Sequence, residues 1–187
     1  LAQKGAAFGS AVPEQRIWPV QIPDFSQPRL ICEIKRMSPS QGLINEIKDP
    51  AAAAKLYLDS GADVISVLTE GEFFKGSLDD LMAVKKAFPQ AALLRKDFLL
   101  NEEEIEISYR AGADLVLLIA SVLINQENNY NAELFCRMYD KITQLGMKAL
   151  CEIHSLEEYE RLKALDLEII GINSRDLKTF EIDRLYP

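Results

Sequence analysis

A chain of 187 residues, 48% hydrophobic and 27% charged, is long enough for one sizeable core and has the composition of an ordinary globular domain. Its net charge of −8 argues against nucleic acid or an anionic membrane as partner, because both select clustered positive charge; a small acidic ligand stays open, since a cleft can locally oppose the net charge. No apolar run approaches the roughly 18 residues of a membrane span.

Residues 1–29 carry four prolines (Pro13, Pro19, Pro23, Pro28) and little periodicity, which predicts an extended arm over a surface. From residue 30 to 187 strand and helix patterns alternate as one domain. Near-continuous apolar runs predict strands at 30–35, 64–69, 92–96, 115–120, 148–152 and 168–173, the pattern of a parallel sheet covered on both faces. Helix signals fall between them. Asp49-Pro50 supplies an N-cap and an N1 proline, and Gly61 a stop. Ser77 with Asp80 reads as a capping box ended by Pro89, and Asn101 opens a helix through Glu102–Glu104, an acidic run read as a solvated helix start. Gly112 ends that helix, a further one runs over 132–145 to Gly146, and Ser155 with Glu158 caps the next. Ser-Gly-Ala-Asp-Val-Ile at 60–65 recurs as Ala-Gly-Ala-Asp-Leu-Val at 111–116. Repeated βα units with short loops predict a right-handed parallel α/β fold, either an open doubly wound sheet or part of a barrel.

The segment from Leu30 to Gly42, LICEIKRMSPSQG, becomes charged only at its C-terminal end, where parallel α/β folds carry their chemistry. Residues two apart in a strand share a face, so Glu33 and Lys35 project together. The other strands end likewise: Lys96 on the third, Glu152 on the fifth, Asn173 and Arg175 on the sixth. Gathered at one rim, two lysines, two carboxylates, an amide and a guanidinium suit acid–base chemistry on an anionic substrate. Each also has a plainer role: Asp97 as a cap beside Lys96, Arg175–Asp176 as a surface pair, Glu152 as a strand cap. The loop 69–77 offers Phe73 and Phe74 as ring contacts or loop anchors. There is no GxGxxG and no GxxxxGK[ST] motif. Cys32, Cys136 and Cys151 are odd in number and form no CxxC pair, which fits a reducing cytosol. The single histidine, His154, reads as a helix-start or structural residue and argues against a histidine-based metal site or a Ser-His-Asp triad.

Taken in order, Glu33-Ile34-Lys35-Arg36-Met37-Ser38-Pro39-Ser40, residues 61–70, Phe73-Phe74-Lys75-Gly76-Ser77, Arg95-Lys96-Asp97-Phe98, Gly112-Ala113-Asp114, Glu152-Ile153-His154 and residues 171–177 resemble the indole-3-glycerol phosphate synthases of tryptophan biosynthesis, over about 30–183. The resemblance implies a (β/α)8 TIM barrel of which about six βα units are present. It implies a carbon–carbon lyase (a carboxy-lyase) that closes, decarboxylates and dehydrates 1-(2-carboxyphenylamino)-1-deoxyribulose 5-phosphate, with no metal and no organic cofactor. By carry-over Lys96 is the general acid on the substrate carbonyl. Lys35 holds anionic groups and serves as acid in dehydration, Glu152 and Glu33 handle protons and stabilise cationic intermediates, and Asn173 orients the substrate. Ser38 and Arg175 support the rim, and Phe74 and Phe98 flank the anthranilate ring. The implied location is cytoplasmic, or the plastid stroma in a plant.

Such barrels run to roughly 250 residues, so the resemblance implies a seventh and eighth unit carrying a serine and the phosphate-binding loops. The expectation is a truncated or incomplete barrel at the C-terminus, with a missing segment, a partner chain or self-association covering its open edges. The rival reading is a non-catalytic barrel remnant, or half of an assembled barrel. A phosphate-binding isomerase barrel fits the Glu-Ile-Lys-Arg and Lys-Asp-Phe motifs less well.

Overall fold

The computed structural model describes residues 12–124 and 130–175, excluding the side chains of residues 130–132. In chain order the elements are β1 (Ile31–Ile34), β2 (Met37–Ser38), β3 (Gly42–Leu43), α1 (Pro50–Asp59), β4 (Val64–Leu68), α2 (Leu78–Ala87), β5 (Ala92–Lys96), α3 (Glu102–Ala111), β6 (Leu115–Ile119), α4 (Ala120–Leu123), α5 (Tyr130–Gln144), β7 (Lys148–Ile153), α6 (Leu156–Leu162), a 3-10 turn (Lys163–Leu165) and β8 (Ile170–Ile172). β2 and β3 pair as a small antiparallel ribbon in what the sequence presents as a simple turn.

The remaining six strands are parallel and stand in the order β1-β4-β5-β6-β7-β8. That order decides between the two architectures left open by periodicity. A doubly wound sheet reverses its strand order at a switch point; here each strand adds beside the last, so right-handed crossovers put every helix on one face and the sheet curls about the other. The fold is a partial (β/α)8 barrel. β1 and β8 are the outermost strands, and Ile31, Ile170 and Ile172 on them are exposed.

Alternation along the strands separates two cores. Ile34, Ile65, Val67, Leu93, Val116, Leu118, Cys151 and Ile153 face the helices, whose contribution includes Leu81, Val84, Ile105, Phe135, Met138 and Ile142. Val64, Ala92, Leu94 and Leu115 face inward with Leu150 and Ile169, and Phe25 of the N-terminal arm packs on them at the lower end. Inside the helix-side core, burial pushes the Cys151 thiol up to about 12. Iodoacetamide at pH 8 should therefore modify half-buried Cys32 on β1 and spare Cys151 until the protein is unfolded, as peptide mass spectrometry would read. Comparable rates at both cysteines in the native protein would contradict this packing.

The helix punctuation follows the sequence. Asp49 accepts from the N–H groups of Ala51 and Ala52, Ser77 from Asp80, Asn101 from Glu104 and Ser155 from Glu158. Gly112 ends α3 in the left-handed region at φ 100°, with space for no side chain: a Cβ would lie 2.6 Å from Lys85 Cγ. Two boxes are only half closed, because their acidic members are used elsewhere. The Asp80 carboxylate takes Arg36, and the Glu158 carboxylate takes the N–H of His154. The acidic run at 102–104 needs correction: Glu104 is buried, its carboxylate accepting from the Leu100 N–H, so it ties the β5–α3 connection to the helix.

The sequence repeat has a structural counterpart. Asp63 Oδ2 accepts from the Leu30 N–H at 2.9 Å, and Asp114 Oδ2 from the Leu93 N–H at 2.8 Å. In both cases an aspartate just before one strand holds the start of the neighbouring strand. Asp63 is partly exposed and also meets Arg29 at 3.0 Å; these bonds, the Leu30 N–H first, hold its carboxyl below the usual range. Asp114 is fully buried, where Arg16 of the arm reaches it at 2.6 Å and Lys85 of α2 at 2.8 Å, and the Gln21 N–H adds a further bond at 3.0 Å. Arg16 also donates to the carbonyls of Trp18, Tyr109 and Ala113 and lies over the Tyr109 ring. Burial pushes the Lys85 ammonium below the usual lysine value, with Asp114 opposing that shift.

Candidate active site at the strand ends

The C-terminal ends of the strands carry the charged residues singled out above. On β5 the alternation is sharp. Lys96 faces inward, whereas its neighbour Arg95 points into the helix layer and is buried there. Arg95 donates to Thr69 Oγ1 at 3.0 Å, to Ser108 Oγ at 2.8 Å, to the Glu104 carbonyl at 3.2 Å and to Asp97 Oδ2 at 2.9 Å. Thr69 closes the network by donating to the same Asp97 oxygen at 2.7 Å. Asp97 is thus a structural anchor, as one of the plainer readings holds, but its cation is Arg95 and not Lys96. This buried cluster fixes the tops of β4 and β5 against α3 and so fixes the backbone that carries Lys96 and Phe98.

Two ion pairs divide the inner rim. Lys96 Nζ lies 3.5 Å from Glu152 Oε2, bridging β5 and β7 across β6. Glu152 is buried, and its Oε1 accepts from Asn173 Nδ2 at 3.0 Å; Asn173 Oδ1 in turn accepts the Arg175 N–H at 3.0 Å. Lys96, Glu152, Asn173 and the Arg175 backbone therefore form one chain of contacts over three strand ends. At the end of β1, Lys35 Nζ meets Glu33 Oε1 at 2.7 Å, and Ser66 Oγ on β4 donates to Glu33 Oε2 at 3.5 Å. Ser38, buried in the ribbon that follows β1, faces Ser40 with 3.5 Å between hydroxyls. Phe74 and Phe98 stand with centroids 6.3 Å apart and planes at 46°, a tilted pair above the ends of β4 and β5. Phe73 is exposed, which separates the two aromatics that composition left equivalent.

Two residues that position the site do not stand out in the sequence. Glu70 is buried two residues past β4, and its carboxylate accepts from the N–H groups of Glu72, Phe73 and Phe74 at 2.8, 2.7 and 3.1 Å. It folds the loop that holds Phe74. The signal available was its position, a carboxylate at a strand end just before a run of free N–H groups. The loop closes where the Gly76 N–H donates to the Glu70 carbonyl, and a Cβ on Gly76 would lie 2.0 Å from the Leu68 carbonyl oxygen. Gly76→Ala should therefore displace the loop and speed tryptic cleavage after Lys75, followed by mass spectrometry; unchanged cleavage would show that the loop tolerates the extra carbon. Arg36 is the second. It pairs with Asp80 of α2 through both terminal guanidinium nitrogens, at 2.5 and 3.0 Å, and donates to the carbonyls of Ile47 and Lys75. The segment after β1 is thereby held to the loop after β4.

Among the described residues no group of three or more histidine, cysteine, aspartate or glutamate side chains is arranged to hold a metal ion. No described helix is long and apolar enough to cross a membrane.

A singly wound parallel sheet with paired acidic and basic side chains at the carboxyl ends of its strands defines a (β/α)-barrel protein. The family model for indole-3-glycerol phosphate synthase matches residues 10–185, and the chain belongs to that family. It is 46% identical over 155 residues to the indole-3-glycerol phosphate synthase of Mycobacteroides abscessus, covering 83% of this chain and 54% of that protein. It is 45% identical over 188 residues to that of an Arthrobacter species, covering 98% of this chain and 66% of the relative. The chain thus spans between about half and two thirds of the length of these relatives. Among solved structures, 3-keto-L-gulonate-6-phosphate decarboxylase from Vibrio cholerae aligns with a TM-score of 0.55 at 14% identity, over 79% of this chain and 62% of that one, a likeness of fold.

Proposed function

We propose that the protein is a carboxy-lyase that converts 1-(2-carboxyphenylamino)-1-deoxyribulose 5-phosphate to indole-3-glycerol phosphate, carbon dioxide and water, and that it works in the cytosol. The observation that carries this reading is the Lys96–Glu152 contact at 3.5 Å at an inward-facing rim, beside the Phe74–Phe98 pair, in a chain of this family. Ring closure requires a proton donor at the substrate carbonyl while the anthranilate ring carbon attacks it. Lys96 is the cation placed to donate that proton, turning the carbonyl oxygen into a hydroxyl. Loss of carbon dioxide then returns the bonding pair to the ring. Dehydration needs an acid for the departing hydroxyl and a base for the proton lost from carbon, roles that Lys35 and the carboxylates Glu152 and Glu33 can fill. Glu152, held by Asn173, also stabilises the cationic nitrogen species between these steps. Phe74 and Phe98 flank the aromatic ring, and Ser38 and Arg175 support the anionic end.

The direct test is incubation of the purified full-length protein with the synthetic substrate, following indole fluorescence. Fluorescent product identified as indole-3-glycerol phosphate by mass supports the reading. Absence of product from folded protein at saturating substrate would reject it in favour of a non-catalytic barrel.

A further inference from the structure

His154 is the chain's single histidine, and the proposed chemistry gives it no task. It follows β7 directly and, two residues past Glu152, shares its inward face. Its side chain is only 12% exposed, and neither ring nitrogen has a hydrogen-bond partner among the described residues. Yet the ring lies between two carboxylates: Nε2 is 3.4 Å from Glu152 Oε1, and Nδ1 is 3.7 Å from Glu158 Oε2. The backbone is held in the same place, because the His154 N–H donates to Glu158 Oε2 at 2.8 Å. Buried imidazoles nearly always pair at least one nitrogen. Here each nitrogen lies beside a carboxylate, and the one that carries the proton faces an acceptor within 4 Å, a position a packing residue has no need of.

We propose that His154 is a positioning residue for Glu152. The Glu152 carboxylate has Lys96 on its Oε2 side and both Asn173 and the imidazole on its Oε1 side. With Oε1 hemmed in by an amide and a ring, the carboxylate cannot turn Oε2 away from Lys96. Glu158, in the first turn of α6, accepts the His154 N–H and faces the far side of the ring, and so links the helix to the rim. The proposal deepens the function given above and rests on it, since the oriented group matters for that reaction.

The test is steady-state kinetics on the full-length protein with the synthetic substrate, using His154→Ala and His154→Gln in the parent and His154→Ala in a Glu152→Gln background. A displaced carboxylate should lower kcat about tenfold with KM changed by less than about twofold. His154→Gln, whose amide can still donate near Oε1, should recover most of that loss. In the Glu152→Gln background His154→Ala should cost nothing further. An equal loss in both backgrounds, or none in the parent, would overturn the proposal. If the parent does not turn the substrate over, the functional reading fails by itself, and the imidazole 15N resonances, unambiguous with one histidine, still decide the contact. They should move in Glu152→Gln and in Glu158→Gln, and resonances indifferent to both changes would overturn it.

Discussion

Replacing Lys96 with methionine should lower kcat by about 10²- to 10⁴-fold while leaving the fold intact, because a general acid is worth that much when its proton is delivered in the transition state. Methionine keeps most of the length and apolar stem of lysine, and Lys96 makes its one described ion pair with Glu152, at 3.5 Å. The structural charge of that strand end is carried by Arg95, which is buried on the opposite face with Asp97, Thr69 and Ser108. Loss of activity with an unchanged melting temperature is therefore the expected pair of results, from the fluorescence assay and circular dichroism on the same samples. Retention of more than about a tenth of the parent kcat would show that Lys96 is not the acid. Arg95→Met should do the reverse, lowering the melting temperature first and activity only through it.

The second large effect lies at the other end of the molecule. Asp114→Ala should destabilise the protein by about 3–5 kcal/mol, since removing one partner of a buried ion cluster leaves the others unpaired. Asp114 faces both Arg16 and Lys85 with no exposed side-chain surface, and it also accepts two backbone N–H groups, those of Gln21 and Leu93. The melting temperature should fall by on the order of 10 °C for a chain of this size, and the arm around Arg16 should become accessible to trypsin. Asp63→Ala is the matched control. It removes the equivalent bond to the start of β1, but its ion pair with Arg29 is partly exposed, and its loss should be clearly smaller. Equal losses at the two positions would mean that burial of the Asp114 cluster adds nothing.

The alternation of apolar runs with capped helices was enough to place all six parallel strands, and Ala92–Lys96 falls on the expected residues. Boundaries moved where tertiary contacts intervene. The last strand is confined to Ile170–Ile172, and the helix expected over 132–145 is Tyr130–Gln144. The choice between barrel and open sheet was not legible in periodicity, because both share the local pattern and differ only in which strands are neighbours. The rim residues were legible, since an inward charge at the end of an apolar strand is conspicuous in one dimension. The supports were not. Arg95 reads like any basic residue beside Lys96, Glu70 like another loop acid, and Glu104 like part of a solvated run. What distinguishes each is a partner several residues or a whole βα unit away, which only folding supplies. The last part of the resemblance, from residue 176 on, lies outside the described residues.

The opposite faces taken by Arg95 and Lys96 restrict how this sequence can drift. A one-residue insertion or deletion within β5 would exchange the two side chains, sending Lys96 into the helix layer and the anchoring guanidinium of Arg95 into the barrel. The buried Arg95 cluster and the Lys96–Glu152 contact would be lost in a single step. Length changes should therefore be tolerated only in the connections that flank the strand, where parity is reset, while the strand itself evolves by substitution alone.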